Sequence, residues 1–215
     1  MLEVTQVTQI KRCECTATAC RFIALTGGPG AGKTAVLELF RKHACSGVAL
    51  LPESASIIFG GGFWRHESEA GRKAAQRAIF HTQRELERLV IEEGTSKAAI
   101  CDRGTLDSLA YWPGSEESFW SDLQTTREKQ LARYAVVIHL KTPGAHNGYN
   151  HSNPIRTESP EEAARIDAKI LKAWEGHPKR IIVDSSESFI DKALRAVSLI
   201  AAELPESCRL YKGAK

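Results

Sequence analysis

Lys33 and Thr34 close the run Gly27-Gly28-Pro29-Gly30-Ala31-Gly32. The pattern is G-x-x-x-x-G-K-T, a phosphate-binding P-loop, and its chemistry follows from its residue types. Glycines let consecutive backbone N–H groups curl around an anion, where most side chains would block both the dihedrals and the approach. A helix starting after Gly32 points its partially positive N-terminus at the same phosphates. Lys33 can then reach the β- and γ-phosphates, and Thr34 can offer its hydroxyl to Mg2+. Gly28, Gly30, Ala31, Gly32, Lys33 and Thr34 are therefore the expected contacts of a nucleoside triphosphate, ATP or GTP. A glycine-rich surface turn is the plain alternative. The apolar run Phe22-Ile23-Ala24-Leu25 before the loop and the amphipathic pattern after it favour the P-loop.

Further residues fall where phosphoryl chemistry would need them. Glu53 follows the apolar run Val48-Ala49-Leu50-Leu51, at the strand edge where open α/β sheets bind ligands. It could take a proton from an acceptor hydroxyl. Asp102 ends the run Lys97–Cys101 and could hold Mg2+ directly or through water. Its plain alternative is a cap on the helix that follows. Arg103 next to it is a candidate cation for the transferring group, or half of a structural ion pair with Glu53. Arg156 and Arg165 lie in and after a Gly/Asn/His-rich stretch that reads as a closing lid. There they could neutralise charge on the phosphoryl group, or stand as ordinary surface cations. The candidate catalytic set is Lys33, Glu53, Asp102, Arg103, Arg156 and Arg165, with Thr34 and Asp102 on the metal.

These residues need a scaffold, and the periodicity supplies one. Five short apolar strands, over 21–27, 48–51, 97–101, 134–140 and 180–183, alternate with helical patterns. The helices are expected at about 32–43, 67–93, 106–112, 116–131, 159–174 and 187–204. Gly94 and Pro113-Gly114 are stops, and Ser159-Pro160-Glu161-Glu162 is a good start. On the last helix, Ile190, Leu194, Val197, Ile200 and Ala201 recur on one face. Strands alternating with helices imply an α/β fold, a parallel sheet covered on both faces. Residues 1–20 read as a lead-in, 21–204 as one domain with a lid at about 142–165, and 205–215 as a tail.

Bulk properties limit the partners. The chain has 215 residues, 42% hydrophobic and 26% charged, with net charge +3, as expected of one ordinary globule. The cations are dispersed, so nothing calls for nucleic acid. No apolar run approaches the roughly 20 residues of a membrane span. Of the six cysteines, Cys101 reads as a buried thiol, and Cys13, Cys15 and Cys20 lack the spacing of a zinc site. Free thiols beside a P-loop suggest the cytoplasm. The glycine-aromatic stretch Phe59–Arg65 reads as a substrate-covering loop or a surface turn.

Missing signatures narrow the class further. There is no N-K-x-D for guanine and no LSGGQ-type sequence, and the chain has little room for a helical lid domain with an arginine finger. Four segments, LTGGPGAGKTAVLELF, LLPESA, CDRGTLDSLAY and NPIRTESPEEAARID with AWEGHPKRIIVD, together resemble an AAA-type P-loop domain family. That family is related to the ribosylnicotinamide kinase domain of bacterial NAD regulators. It is also similar to the ATP/GTP-binding domain of an insect photoreceptor-trafficking protein. The resemblance spans residues 21 to 204. It implies a three-layer P-loop NTPase fold of the nucleoside/nucleotide-kinase type, with strand order 2-3-1-4-5, Glu53 as base and Asp102 on the magnesium side. Gly104 stands where those kinases usually carry Ser or Tyr. The expected function is Mg2+-dependent transfer of the γ-phosphoryl of ATP to a small hydroxylated acceptor, nucleoside-like or another metabolite. The alternative is an ATP- or GTP-hydrolysing regulatory module that recruits a protein or anionic lipid, with Phe63-Trp64-Arg65 as its exposed feature.

Overall fold

The computed structural model describes residues 20–41, 45–143, 159–185 and 188–208. Five parallel strands form one sheet in the order β2-β3-β1-β4-β5. They are β1 Arg21–Thr26, β2 Val48–Leu51, β3 Ala98–Asp102, β4 Tyr134–Leu140 and β5 Arg180–Val183. Each pair is joined through a helical crossover, as parallel strands require.

Strand alternation divides the core in two. Ile23, Leu25, Ile100, Val136 and Ile138 face one way and pack with Val36, Leu37 and Phe40 of α1 (Lys33–Arg41) and Ala193, Ala196 and Ile200 of α8 (Phe189–Glu203). Phe22, Ala24, Ala99, Cys101 and Val137 face the other way. There they meet Leu106, Ala110 of α4 (Asp107–Tyr111), Ile170 of α7 (Pro160–Ala173) and the fully buried Trp174. Successive residues of a strand point to opposite faces, so a nearly all-apolar strand buries both sides.

The long helix α3 (Glu69–Glu93) starts at Ser68, whose hydroxyl accepts from the Gly71 amide, and stops at Gly94 with φ 63°. That left-handed conformation suits glycine. The face α3 turns inward is more polar than its apolar spacing suggests. Gln76, Phe80, Gln83 and Glu87 are buried, whereas Leu89 is half exposed. Most of this stripe is paired. The Ser54 hydroxyl donates to Gln83 Oε1 (2.9 Å), Gln83 Nε2 to Glu87 Oε1 (3.0 Å), and the Tyr134 hydroxyl to Glu87 Oε1 (2.6 Å). Arg133 supplies the counter-charge to the fully buried Glu87.

The structure differs from the sequence expectation at three places. The helix expected over 116–131 is two helices, α5 (Glu116–Asp122) and α6 (Arg127–Leu131). Gln124 between them takes φ 49°, and the Thr126 hydroxyl caps α6 by accepting from the Lys129 amide. A helix α2 (Ser54–Gly60) occupies the stretch after Glu53. On α8 the buried face is Ala193, Ala196 and Ile200, while Ile190 and Leu194 are exposed. Small alanines let the helix axis approach the sheet more closely than the larger side chains would. The other expected helices and all five strands lie close to their predicted places, and α7 carries the full capping box of Ser159 and Glu162.

Candidate active site

Strand register assembles the site. In β1 and β3, Leu25 pairs with Asp102, so the P-loop leaves β1 beside the carboxylate that ends β3. In β2 and β3, Leu51 pairs with Cys101, which brings Glu53 alongside Asp102 and Arg103. Residues 50 to 80 positions apart in sequence thus meet at one carboxyl edge of the sheet, where α/β folds bind ligands.

The P-loop backbone is set by close packing. Gly27 has φ 134°, and a Cβ there would fall 2.0 Å from the Leu140 carbonyl oxygen. Only glycine allows β1 and β4 to close behind the loop in this way. The loop is also tied from behind by the last two helices. The Gly28 amide donates to Asp167 Oδ1 (2.6 Å), and His139 Nε2 lies 3.0 Å from the same oxygen. Burial alone would raise the Asp167 pKa, but the hydrogen bonds from His139 and from backbone amides bring it below the ordinary range. Lys192 of α8 is buried and donates to the carbonyl oxygens of Ala31 (3.0 Å) and Lys141.

The Lys33 ammonium is buried and donates to the carbonyls of Gly27 (2.8 Å) and Gly28 (3.0 Å). Burial lowers its pKa to about 8, and Arg103 adds to the effect. Thr34 is exposed at the start of α1.

Arg103 has φ 72°, a left-handed conformation that costs a non-glycine residue about 1–3 kcal/mol. Its Nε donates to Glu53 Oε1 at 2.6 Å, and another guanidinium nitrogen donates to the Gly27 carbonyl at 3.1 Å. Gly27 thereby accepts from both Lys33 and Arg103. Glu53 sits at the N-cap of α2 but does not cap it. Its second oxygen accepts from the Ser56 hydroxyl at 2.6 Å. Burial opposes ionisation of Glu53, yet Arg103 and Lys33 overcome it and bring the pKa to about 2.

Asp102 is the converse case. It is buried, and its Oδ1 has no hydrogen-bond partner among the described residues. Burial raises its pKa to about 6, with Glu53 and Asp107 contributing against the opposing pull of Lys33 and Arg103. Two neighbouring carboxyls are thus driven apart, which separates their chemical capacities at neutral pH.

Around these groups lies a cavity of about 380 Å3. One wall holds Gly30, Lys33 and Thr34, and the polar centre holds Glu53, Asp102, Arg103 and Asp107. Phe59, Arg65, Gln76, Ile79 and Tyr111, from α2, α3, α4 and the loop after α2, complete it. Of the candidates read from sequence, Lys33, Thr34, Glu53, Asp102 and Arg103 meet here. The ion pair between Arg103 and Glu53 is present, and it lines the cavity. Ala31 is buried beneath the loop. Arg165 does not join them. It is exposed on α7 and lines a neighbouring groove with Arg72, Lys169 and Tyr111, because the helical turn carrying it faces away from the cavity. Arg156, Cys13, Cys15 and most of the expected lid lie outside the described residues.

Several residues at the site escaped the sequence reading. Asp107 accepts from the Thr26 hydroxyl and from the Gly104 amide (2.8 Å), and so orders the turn that presents Arg103. Its signal was the D-R-G-x-x-D spacing. Gln76, Asp167 and Lys192 carried no such signal, since each is one polar residue among many on an amphipathic helix. Gly104 is explained by packing: a Cβ there would lie 2.7 Å from the Trp174 ring and 3.0 Å from Tyr134.

No group of three or more His, Cys, Asp or Glu side chains able to hold a metal by themselves occurs among the described residues. No helix among them is long and apolar enough to cross a membrane. Comparison with solved structures finds thymidylate kinase from Ehrlichia chaffeensis, at TM-score 0.56 and 16% identity, covering 85% of this chain and 99% of that one. Thymidylate kinase from Candida albicans matches at TM-score 0.54 and 14% identity, covering 89% and 98% respectively. At such identities the likeness is one of fold, that of P-loop nucleotide kinases. No curated protein matches the sequence significantly. The AAA domain family matches residues 22–192, from the first strand to the last helix. The chain belongs to that family, the AAA domain.

Proposed function

We propose that this protein is a Mg2+-dependent phosphotransferase that moves the γ-phosphoryl of ATP to a hydroxyl or phosphate oxygen of a small acceptor. One observation carries the reading: the P-loop lysine and threonine share a single cavity with an ionised glutamate, and that cavity extends beyond the phosphate site to Phe59, Gln76 and Tyr111. A pure hydrolase needs no such extension. The motif resemblance to a ribosylnicotinamide kinase domain points the same way.

The chemistry is in-line displacement. The acceptor oxygen forms a bond to the γ-phosphorus as the bond to the β–γ bridging oxygen breaks, and ADP leaves. Lys33 and the loop amides stabilise charge on the transferring group. Glu53 accepts the hydrogen bond of the acceptor hydroxyl and then its proton, which passes to solvent. At a pKa of about 2 it is a weak base. In a loose transition state, orientation contributes more than base strength, and the Arg103 and Ser56 contacts fix that orientation. The residues present suit a magnesium ion: Asp102 Oδ1 is buried without a hydrogen-bond partner among the described residues, and Thr34 shares its cavity. When bound, Mg2+ would neutralise charge on the β- and γ-phosphates.

The test is the fate of the γ-phosphate. Labelled ATP and Mg2+ are incubated with the protein, with and without a pool of small metabolites. Label on a metabolite supports transfer and identifies the acceptor. Slow release of free phosphate, indifferent to the pool, would replace this reading with a regulatory NTPase, whose exposed Trp64 would then be the first place to seek a partner.

A further inference from the structure

Among the described residues two lysines are buried, Lys33 and Lys192, and both end on the P-loop. Lys33 belongs to the motif. Lys192 comes from α8, one turn after Phe189, on the inward face that Ala193, Ala196 and Ile200 continue. An amphipathic stripe calls for an apolar side chain at that place, and a buried ammonium is costly without a counter-charge. Buried Glu87 and Glu203 have such partners in Arg133 and Lys179. Lys192 makes no ion pair among the described residues, and its donors go to the carbonyls of Ala31 and Lys141. Burial lowers its pKa, and the Asp167 carboxylate opposes the shift from a greater distance.

Packing fixes where that ammonium lies. The start of α8 presses on the loop, since a Cβ on Gly32 would fall 2.5 Å from the Phe189 ring. One turn further, Lys192 donates to the Ala31 carbonyl at 3.0 Å. The Ala31 carbonyl and the Gly32 N–H are the two ends of one peptide group. A charged donor on the oxygen draws electron density from the nitrogen end and makes that N–H a stronger donor. Gly32 directly precedes α1, at the helix start where amides lack intrahelical acceptors and are offered to an anion. Tying two carbonyls to a helix requires only a neutral donor, whereas a buried charge finds its counterpart when a triphosphate fills the loop. We propose that Lys192 is a positioning residue of the nucleotide site: acting through the Ala31–Gly32 peptide, its ammonium strengthens the cradle and supplies counter-charge to the triphosphate. The role concerns nucleotide binding alone and does not depend on the identity of the acceptor.

Three substitutions separate charge from packing. Lys192→Arg keeps the charge and the donors, Lys192→Gln keeps a neutral donor, and Lys192→Met keeps only an apolar stem. Calorimetry measures Mg2+–ATP and Mg2+–GTP binding to wild type and to each variant, with circular dichroism checking that each is folded. Lys192→Gln and Lys192→Met should weaken the nucleotide that wild type prefers by about tenfold or more, and Lys192→Arg should retain most of the affinity. The second readout is the amide resonance of Gly32 in 15N-labelled protein without nucleotide. Its proton should move upfield when the charged donor is lost in Lys192→Gln, a shift that a lysine serving only as a staple would not produce. Where Lys192→Met fails to fold, Lys192→Gln and Lys192→Arg carry the comparison. Nucleotide binding by Lys192→Gln as tight as wild type, or no weaker than by Lys192→Arg, would overturn the inference. So would a Gly32 resonance that stays in place in Lys192→Gln. None of these outcomes needs turnover, so they stand whether labelled ATP yields a phosphorylated metabolite or only free phosphate.

Discussion

Glu53→Gln tests the electrostatic core of the site. The substitution keeps the size and planarity of the side chain and removes its charge. In the wild-type protein, Arg103 and Lys33 bring the Glu53 pKa from the ordinary 4.5 to about 2. At about 1.4 kcal/mol per unit, the ionised form is favoured in the fold by about 3 kcal/mol. Glutamine retains a neutral hydrogen bond to Arg103 and one to Ser56, so the expected loss at pH 7 is about 2–3 kcal/mol. The sign is fixed by linkage. A carboxyl with a depressed folded-state pKa contributes stability above its unfolded value, and that contribution is lost as pH falls through the folded value. The gap between wild type and variant should therefore be full from pH 7 to about 5 and close between pH 4.5 and 2. Urea unfolding at pH 7, 5, 4 and 3 measures it. A gap as large at pH 3 as at pH 7 would refute the assignment of this stability to the ion pair. The same variant should lose transfer activity while ATP still binds, and unchanged transfer would remove Glu53 from the mechanism.

Three further outcomes follow from the same site. Asp102→Asn, unfolded in chelator, should be about 1–3 kcal/mol more stable than wild type at pH 7.5, because burial lifts the Asp102 pKa from 3.8 to about 6. For a raised carboxyl the folded state binds the extra proton, so wild-type stability falls as pH rises from 4 to 6, and the difference should vanish near pH 4. A constant difference would place its origin elsewhere. Lys33, with a pKa lowered to about 8, predicts that ATP affinity weakens above pH 8, since binding must then take up a proton; a flat profile from pH 7 to 9 by calorimetry would contradict it. Gly104→Ser should cost about 1–3 kcal/mol in urea unfolding, because its Cβ meets two buried rings that cannot rotate away. A neutral result would show that Trp174 can yield.

How much of this was legible beforehand depends on the kind of signal. The P-loop is local: its glycines, lysine and threonine are contiguous, and their spacing alone specifies an anion cradle. The five strands and most helices were equally local, because apolar periodicity and capping residues act over a few positions. Even Glu53 and Asp102 could be found, since each follows an apolar run and so must lie at a strand's carboxyl end.

Tertiary structure decided which of those residues share one space. Asp102 meets the P-loop because Leu25 and Asp102 are in register, and nothing in either strand's own sequence specifies that pairing. Arg165 looked equivalent to Arg103 as a cation near a functional segment, but the rotation of α7 sends it to a different groove. Gln76 and Gln83 are the same residue type, seven positions apart on one helical stripe. Folding gives Gln83 two partners and leaves Gln76 facing the cavity. Sequence specifies chemistry that is built from neighbours along the chain. Register, helix rotation and burial arise only when distant segments pack, and they determined which side chains became the site.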